Sequence, residues 1–222
     1  MSTSAVIDVL LLSNGHGEDT SGALIAAELL RRGVTVEALP LVGRGIAYRR
    51  LGVPVPHGLR EFSTGGLGYA TLVGRLKELV QGQPLYLMGL LVGLWRRRRR
   101  YRLVVAVGDL IPVLAAWLSG RPRLVYLVAY SSHYEGRLRL PWPCGWLLRR
   151  RRMLRIWSRD PLTAGDLSSQ LARPVSFLGN PFLDLVTGDH DPIPNDAQQG
   201  LAVLPGSRLP EALRNLERLL DL

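Results

Sequence analysis

Short apolar runs alternate with segments of helical spacing along most of the chain. Continuous apolar runs are typical of strands covered on both faces, and apolar residues three or four positions apart are typical of helices. The predicted strands are residues 5–12, 34–39, 103–107, 124–129, 155–157 and 175–178. The predicted helices are residues 22–32, 46–51, 69–80, 85–100, 111–118, 142–153 and 161–171, and Asp160 is the expected N-cap of the last. This alternation predicts an α/β fold with a mostly parallel sheet and helices on both faces.

The pattern changes after residue 186. Residues 187–200 are polar and contain prolines, which is typical of a linker. A strand at 201–204, the turn PGSR and a helix at 210–222 are predicted to follow. We therefore expect one domain at 1–186, a linker at 187–200 and the start of a second domain at 201–222. One strand and one helix cannot bury their own apolar faces, which indicates a piece of a longer protein or a partner supplied from elsewhere.

Basic charge is concentrated in two clusters. Arg96 to Arg100 with Arg102, and Arg149 to Arg152 with Arg155, hold 11 of the 28 basic residues, and the other 17 nearly balance the 18 acidic residues. The net charge of +10 therefore belongs to two regions and not to the whole surface. Arginine runs have affinity for phosphate, but no helix-turn-helix, zinc or RNA-binding motif accompanies them, which argues against a nucleic-acid partner.

The first arginine cluster follows the longest apolar run, residues 85–95. As a helix this run is about 17 Å long, whereas a transmembrane helix crosses about 30 Å of hydrocarbon. An apolar segment ending in Trp and Arg is typical of a helix that lies on an anionic membrane surface; the alternative is a core helix with a solvated end. The residues predicted to contact the membrane are Leu91, Leu94, Trp95, Arg96 and Arg97.

Cysteine content and the N-terminus indicate the compartment. Cys144 is the single cysteine, so an internal disulfide is excluded and a reducing compartment is favoured. The opening MSTSAVID lacks the basic and then apolar pattern of a signal peptide. We expect a cytoplasmic protein that is peripheral on the inner (plasma) membrane.

Polar residues crowd the end of the first predicted strand, in SNGHGEDTS at residues 13–21. Ligands of open α/β sheets bind at the carboxyl ends of the strands, and a glycine-bearing loop before a helix presents N–H groups to anionic or hydroxyl-rich ligands. A dinucleotide site is disfavoured because Thr20 stands where the fingerprint requires glycine. The alternative is that Thr20 caps the helix and that Glu18 and Asp19 are solvated.

Asp109 ends the predicted strand of VVAVGD and faces the same edge of the sheet. A carboxylate at this position suits a general base that removes a proton from an acceptor hydroxyl; the alternative is an N-cap of the next helix. His16 and His133 also follow strands, but their spacing matches no metal site. We expect neither a metal nor a cofactor.

Five segments, in this order, resemble lipid-A-disaccharide synthases and, more closely, their cyanobacterial-type related branch. GEDTSGALIA at 17–26 is similar to the family's GE-x-SGD loop, with one extra residue and Ala23 in place of Asp. VVAVGD at 104–109 resembles the strand with the family's essential aspartate, and LVYLVAYSSHY at 124–134 resembles the next strand and acceptor-side loop. VSFLGNPFLD at 175–184 is similar to the VGHP-type motif, with Asn180 in place of His. LAVLPGSRLPEALRNL at 201–216 resembles the LLPGSR-x-x-E segment that opens the second domain.

This resemblance implies a GT-B glycosyltransferase, built from two Rossmann-like domains that face each other across a cleft. The family transfers a diacylated glucosamine from UDP to a monophosphorylated acylated sugar, with inversion and without a metal, in lipid A biosynthesis. It implies that Asp109 is the base and that the donor is contacted by Gly206, Ser207 and Arg208. The implied acceptor-side residues are Asn14, Gly15, His16, Gly17, Glu18, Ser21 and Ser131.

The implied partners are a UDP-activated sugar, an acylated sugar or lipid acceptor and an anionic membrane. Most of the donor domain lies outside these residues, so the chain alone is expected to lack most of the nucleotide-sugar contacts. One alternative is a non-catalytic membrane- or lipid-binding module left by truncation. Another is a peptidoglycan-type GT-B N-acetylglucosaminyltransferase, which is disfavoured because SNGHGED does not match that family's GGTGGH-type first loop.

Overall fold

The structure is a computed structural model that describes residues 6–56, 59, 83–185, 203–206 and 211–220. Five strands in these ranges form one sheet with the order β2-β1-β3-β4-β5, and every pair is parallel. The strands are β1 (Ile7–Ser13), β2 (Val36–Pro40), β3 (Tyr101–Val107), β4 (Arg123–Leu127) and β5 (Met153–Ser158). The predicted α/β class is confirmed, since this is a Rossmann-like parallel sheet.

Helices connect the strands and cover both faces of the sheet. They are α1 (His16–Arg31), α2 (Ile46–Arg50), α3 (Gln83–Arg97), α4 (Leu110–Leu118), α5 (Ser132–Glu135), α6 (Cys144–Leu148) and α7 (Pro161–Leu171), with 3₁₀ turns at Arg98–Arg100 and Pro181–Leu185. One apolar cluster joins α1 and α2 to the odd-numbered residues of β1, such as Leu11. The other joins α3, α4, α6 and α7 to the even-numbered residues, such as Leu10. The alternation of side chains along a strand explains this division.

The start of α1 differs from the prediction. The polar residues 17–21, expected in a loop, form the first turns of the helix. Gly15, at φ 137°, breaks the extended chain, and Glu18 and Asp19 then lie in the first turn, where the helix dipole favours carboxylates. Apolar periodicity begins only at residue 22, so the pattern placed the start six residues too late.

Two other predicted elements are shorter in the structure. The helix expected at 142–153 covers only Cys144–Leu148, because Met153 already pairs with Arg123 of the neighbouring strand. The strand expected at 175–178 is a single bridge between Trp157 and Ser176. The predicted loop at 58–68, helix at 69–80 and linker at 187–200 lie outside the described residues, except for residue 59.

The chain divides into two compact units, Met1–Asp184 and Leu185–Leu222. In the second unit, α8 (Glu211–Leu220) lies within the predicted helix 210–222. Asn215 Nδ2 donates to the carbonyl of Pro205 at 3.0 Å. Residues 203 and 204 are described and are not part of a strand, in contrast to the predicted strand at 201–204. None of the helices in the described ranges is both long and apolar enough to span a membrane.

Candidate active site

The site lies where β1 and β3 run side by side and their following helices leave toward opposite faces. After β1, helix α1 packs on one face through Ala23 and Ala26, and after β3, helix α4 packs on the other face through Val113 and Ala116. Their loops therefore separate at the carboxyl edge and leave a crevice between them. In open α/β sheets this topological switch point is where ligands bind.

Asn14 and Asp109 meet at this crevice. Asn14 Nδ2 lies 3.3 Å from both carboxylate oxygens of Asp109, although the residues are 95 positions apart. Asp109 Oδ1 also accepts a hydrogen bond from the backbone N–H of Ile111 at 2.9 Å and so caps α4. The N-cap interpretation is thus confirmed. The other oxygen, Oδ2, accepts the long bond from Asn14. A carboxylate oxygen has two lone pairs, so Oδ2 can also accept from a ligand.

The environment makes Asp109 a stronger base than a solvated aspartate. Burial raises the pKa of Asp109, and the hydrogen bonds from the Ile111 N–H and the Asn14 amide oppose this shift without cancelling it. Asn14 itself is only 5% exposed, and its Oδ1 is buried without a hydrogen-bond partner among the described residues. A carboxylate whose pKa is raised by burial accepts a proton more readily than a solvated one.

Glu18 closes one side of the crevice. Gly108 has φ +130°, and a Cβ placed there would lie 3.0 Å from Cγ and Cδ of Glu18. The absence of a side chain at Gly108 therefore allows the first turn of α1 to lie against the end of β3. In this way Asn14, Glu18 and Asp109 come together from two distant parts of the chain.

A buried network beneath α1 supports this arrangement. Ser13 Oγ donates to Asp19 Oδ1 at 2.6 Å, and Tyr48 Oη donates to Ser13 Oγ at 2.9 Å. Burial raises the pKa of Tyr48 far above its usual value, so its hydroxyl stays protonated. Asp19 is buried, which corrects the interpretation that it is solvated. Sequence reasoning missed Tyr48, because nothing in a short helix after β2 signals a contact with β1.

The other predicted acceptor-side residues of α1 and the loop before it fall into three cases. Gly15 and Gly17 lie at the N-terminal end of α1, where no side chain caps the helix. Ser21 is fully buried and its hydroxyl donates to the carbonyl of Gly17, so the prediction that Ser21 contacts an acceptor is wrong in this structure. His16 begins α1, and its side chain lies outside the described part of the structure.

Ser131 belongs to a second polar group at the ends of β4 and β5. Its hydroxyl donates to Asp160 Oδ2 at 3.1 Å and accepts from the N–H of His133 at 3.3 Å. The neighbouring Tyr130 Oη accepts from the N–H of Leu110 at 3.2 Å, which ties this loop to the start of α4. The hydrogen bonds of Ser131 therefore go to the end of β5 and the start of α5.

Some of the predicted membrane residues on α3 are buried in the core and others are exposed. Leu94 is only 1% exposed and lies in the core, so the prediction that it contacts a membrane is corrected. Leu91 packs partly against the same core. Trp95 is 54% exposed, with the guanidinium of Arg98 stacked 4.0 Å from its ring centre, and Arg96 and Arg97 are exposed.

The predicted donor-side residues lie in the second unit. Gly206 has φ +103°, a conformation that favours glycine, and Ser207 and Arg208 lie outside the described residues. Within the described ranges, no three His, Cys, Asp or Glu side chains are grouped so that they could hold a metal ion.

Fold and site together define a Rossmann-like α/β domain with a half-buried carboxylate at its switch point. No protein-family model matches the chain, and no curated protein matches it. Among solved structures, it is similar to MurG of Acinetobacter baumannii, with 19% identity and a TM-score of 0.41 over 70% of this chain and 42% of that one. It is also similar to UDP-GlcNAc 2-epimerase from Neisseria meningitidis bound to UDP-GlcNAc, with 15% identity and a TM-score of 0.46 over 80% of this chain and 48% of that one. The chain spans less than half the length of each, and the fold assignment rests on the sheet topology above.

Proposed function

We propose that this chain is the acceptor half of a GT-B glycosyltransferase related to lipid-A-disaccharide synthase. It moves a glucosamine-type sugar from a UDP-sugar to an acylated or lipid-linked sugar at the membrane surface. The observation that carries the proposal is the Asn14–Asp109 pair at the topological switch point, with the pKa of Asp109 raised by burial. The five family-like segments supply the reaction class.

In the proposed reaction Asp109 is the general base. Its Oδ2 takes the proton of an acceptor hydroxyl, and the hydroxyl oxygen forms a bond to the anomeric carbon of the donor. The bond between that carbon and the UDP oxygen breaks, and UDP leaves with the electron pair. The anomeric configuration inverts because the hydroxyl attacks the face opposite to UDP. Asn14 acts as a positioning residue, because its amide holds both carboxylate oxygens.

The N-terminal end of α1 is the proposed acceptor platform. Its first backbone N–H groups, from Gly15 through Gly17, suit a phosphate or hydroxyl oxygen because they carry the positive end of the helix dipole. Glu18 lies against Gly108 and can accept a hydrogen bond from a sugar hydroxyl beside Asp109. Ser131 and His16 are the remaining residues proposed to contact the acceptor.

Donor and membrane contacts are proposed for other parts of the chain. Gly206, Ser207 and Arg208 are assigned to the donor, since an arginine fork suits phosphate oxygens. Trp95, with Arg96 and Arg97, is assigned to an anionic membrane on the cytoplasmic side, because tryptophan and arginine both favour the lipid headgroup region.

The test is UDP release by the native protein isolated from its own cells, with a UDP-activated acylated glucosamine and an acylated sugar phosphate. Asp109→Asn is the test variant, since asparagine keeps the N-cap but cannot take a proton. Asp8→Asn is the matched control, because Asp8 also accepts from a backbone N–H, that of Thr35, but lies near the start of β1, at the opposite edge of the sheet. We expect transfer to be lost in the first variant and retained in the second. Unchanged turnover in Asp109→Asn overturns the proposal.

A second candidate is a non-catalytic lipid-binding module. It is favoured by the exposed apolar side chains of α3, which include Leu85 and Met88. Sedimentation with anionic vesicles, together with no measurable affinity for any UDP-sugar in the native protein, is the outcome that selects it over the transferase.

A further inference from the structure

Arginines collect at the edge of the sheet opposite to Asp109. Helices α3, α4 and α6 lie on the same face, and each leads into a strand that begins at the amino edge. Each helix carries a tryptophan in its last turns, and arginines follow before or at the start of the next strand. The parallel order of β3, β4 and β5 therefore brings three arginine-containing connections to one edge.

Arg121, Arg123 and Arg152 form the central group of this edge. Arg123 is the first residue of β4 and is only 2% exposed. Its backbone N–H donates to the carbonyl of Arg152 at 2.9 Å, and its guanidinium donates to the carbonyl of Arg121 at 3.3 Å. The guanidinium of Arg152 in turn donates to the carbonyl of Gly120.

Within the described ranges, no carboxylate forms a salt bridge with this group. Among the described residues, the salt bridges of the protein involve other side chains, and the Nε atoms of Arg121 and Arg123 are buried without a hydrogen-bond partner. Burial lowers the pKa of Arg123, and the nearby charge of Arg152 lowers it further. Buried charges in proteins are normally paired, and backbone carbonyls supply only partial negative charge.

We infer that Arg121, Arg123 and Arg152 form a binding site for a phosphate group. Guanidinium N–H groups match the tetrahedral oxygens of phosphate in paired hydrogen bonds, and an anion at the rim of this group offsets the positive charge that no described carboxylate neutralises. The site is separate from the switch-point crevice and does not depend on the proposed transferase activity. It gives a physical reason for arginines at three neighbouring backbone positions of this edge.

Aromatic side chains on the helices of this edge indicate which kind of molecule carries the phosphate group. Trp146 belongs to α6, which precedes Arg152 in the chain, and the guanidinium of Arg150 is stacked 3.5 Å from its ring centre, with the ring of Trp117 at 5.8 Å. Tryptophan and arginine together are typical of the headgroup region of a membrane. A phospholipid headgroup and free inorganic phosphate share the same chemistry, and the experiment separates them.

The first arm measures inorganic phosphate binding to the 222-residue chain by calorimetry, at constant ionic strength in chloride buffer. The test variants are Arg152→Gln and Arg121→Gln, both of which leave the buried Arg123 in place. The matched control is Arg137→Gln, which removes an exposed arginine beside Asp166 on α7. We expect the dissociation constant to rise about tenfold in each test variant, since each loses a charge-assisted hydrogen bond. The control should not change it.

The second arm measures flotation with vesicles of phosphatidylglycerol and of phosphatidylcholine. If Arg152→Gln and Arg121→Gln weaken binding to phosphatidylglycerol vesicles relative to Arg137→Gln, the site holds a lipid headgroup. If they weaken only the binding of inorganic phosphate, the site holds a soluble phosphate. Equal behaviour of all three variants in both arms, or no phosphate binding by the unmodified chain, overturns the inference.

Discussion

Replacement of Asp109 separates its role as a helix cap from its role as a base. Asp109→Asn keeps an oxygen that accepts from the Ile111 N–H and from Asn14, because asparagine is as good an N-cap as aspartate. Asp109→Ala removes both bonds. We expect both variants to lose about 10²- to 10⁴-fold in the rate of transfer, the usual contribution of a general base, but only the alanine variant to lose stability.

The stability difference follows from the two lost bonds. Loss of an N-cap costs about 1 kcal/mol, and an unpaired buried amide at Asn14 costs about 1 to 3 kcal/mol. The free energy of unfolding of Asp109→Ala should therefore be roughly 2 to 4 kcal/mol lower, which lowers the Tm of a domain of this size by about 4 to 16 °C. Thermal denaturation followed by circular dichroism measures this.

The dependence on pH gives an independent check. Burial raises the pKa of Asp109, which means that the folded state favours the protonated carboxyl. The contribution of this group to the free energy of unfolding is therefore full at low pH and is lost as the pH rises through the folded-state pKa. Asp109→Asn should be as stable as the unmodified chain below about pH 3.8 and relatively more stable at neutral pH. For Asp160, burial acts to raise the pKa, but hydrogen bonds from Thr163 and Ser131 hold it below its usual value. Asp160→Asn should therefore lose stability at neutral pH.

One result contradicts this reasoning directly. If Asp109→Asn is destabilised at neutral pH as much as Asp109→Ala, the carboxylate charge itself holds the fold together. Asp109 is then a structural aspartate, and its assignment as a base loses its physical support.

Three further predictions concern the rest of the first unit. Gly22→Ala should lower the free energy of unfolding, measured by chemical denaturation, by about 1 to 3 kcal/mol, because the new Cβ would lie 2.0 Å from Tyr48 Oη. Tyr48→Phe in the same chain should recover part of this loss. Equal stability of Gly22→Ala and the unmodified chain contradicts the packing. Gly108→Ala should cost about 1 to 3 kcal/mol for its backbone at φ +130°, and it should lower the rate of transfer by displacing Glu18, as measured by UDP release. Cys144 should resist thiol reagents until the chain unfolds, since burial raises its pKa to about 12; rapid labelling of the folded chain at pH 8 would falsify its burial.

Local patterns predicted most of the secondary structure. Asp160 and Pro161 signalled the start of α7, and the predicted range 161–171 matches the structure, because an N-cap followed by proline acts within a single turn. The start of α1 and the end of α6 were misplaced because neither depends on apolar spacing. A carboxylate-rich first turn begins α1, and pairing with β4 ends the segment that follows α6.

The amino-acid sequence by itself determined the fold class and the residues that end β1 and β3. These follow from short-range periodicity and from the rule that the ends of parallel strands share an edge. Only the tertiary structure decided that Asn14 bonds to Asp109, that Ser21 and Leu94 are buried, and that Arg123 pairs with the backbone of Arg152. Strand order and helix packing set these contacts between residues far apart in the chain, and spacing along the sequence carries no record of them.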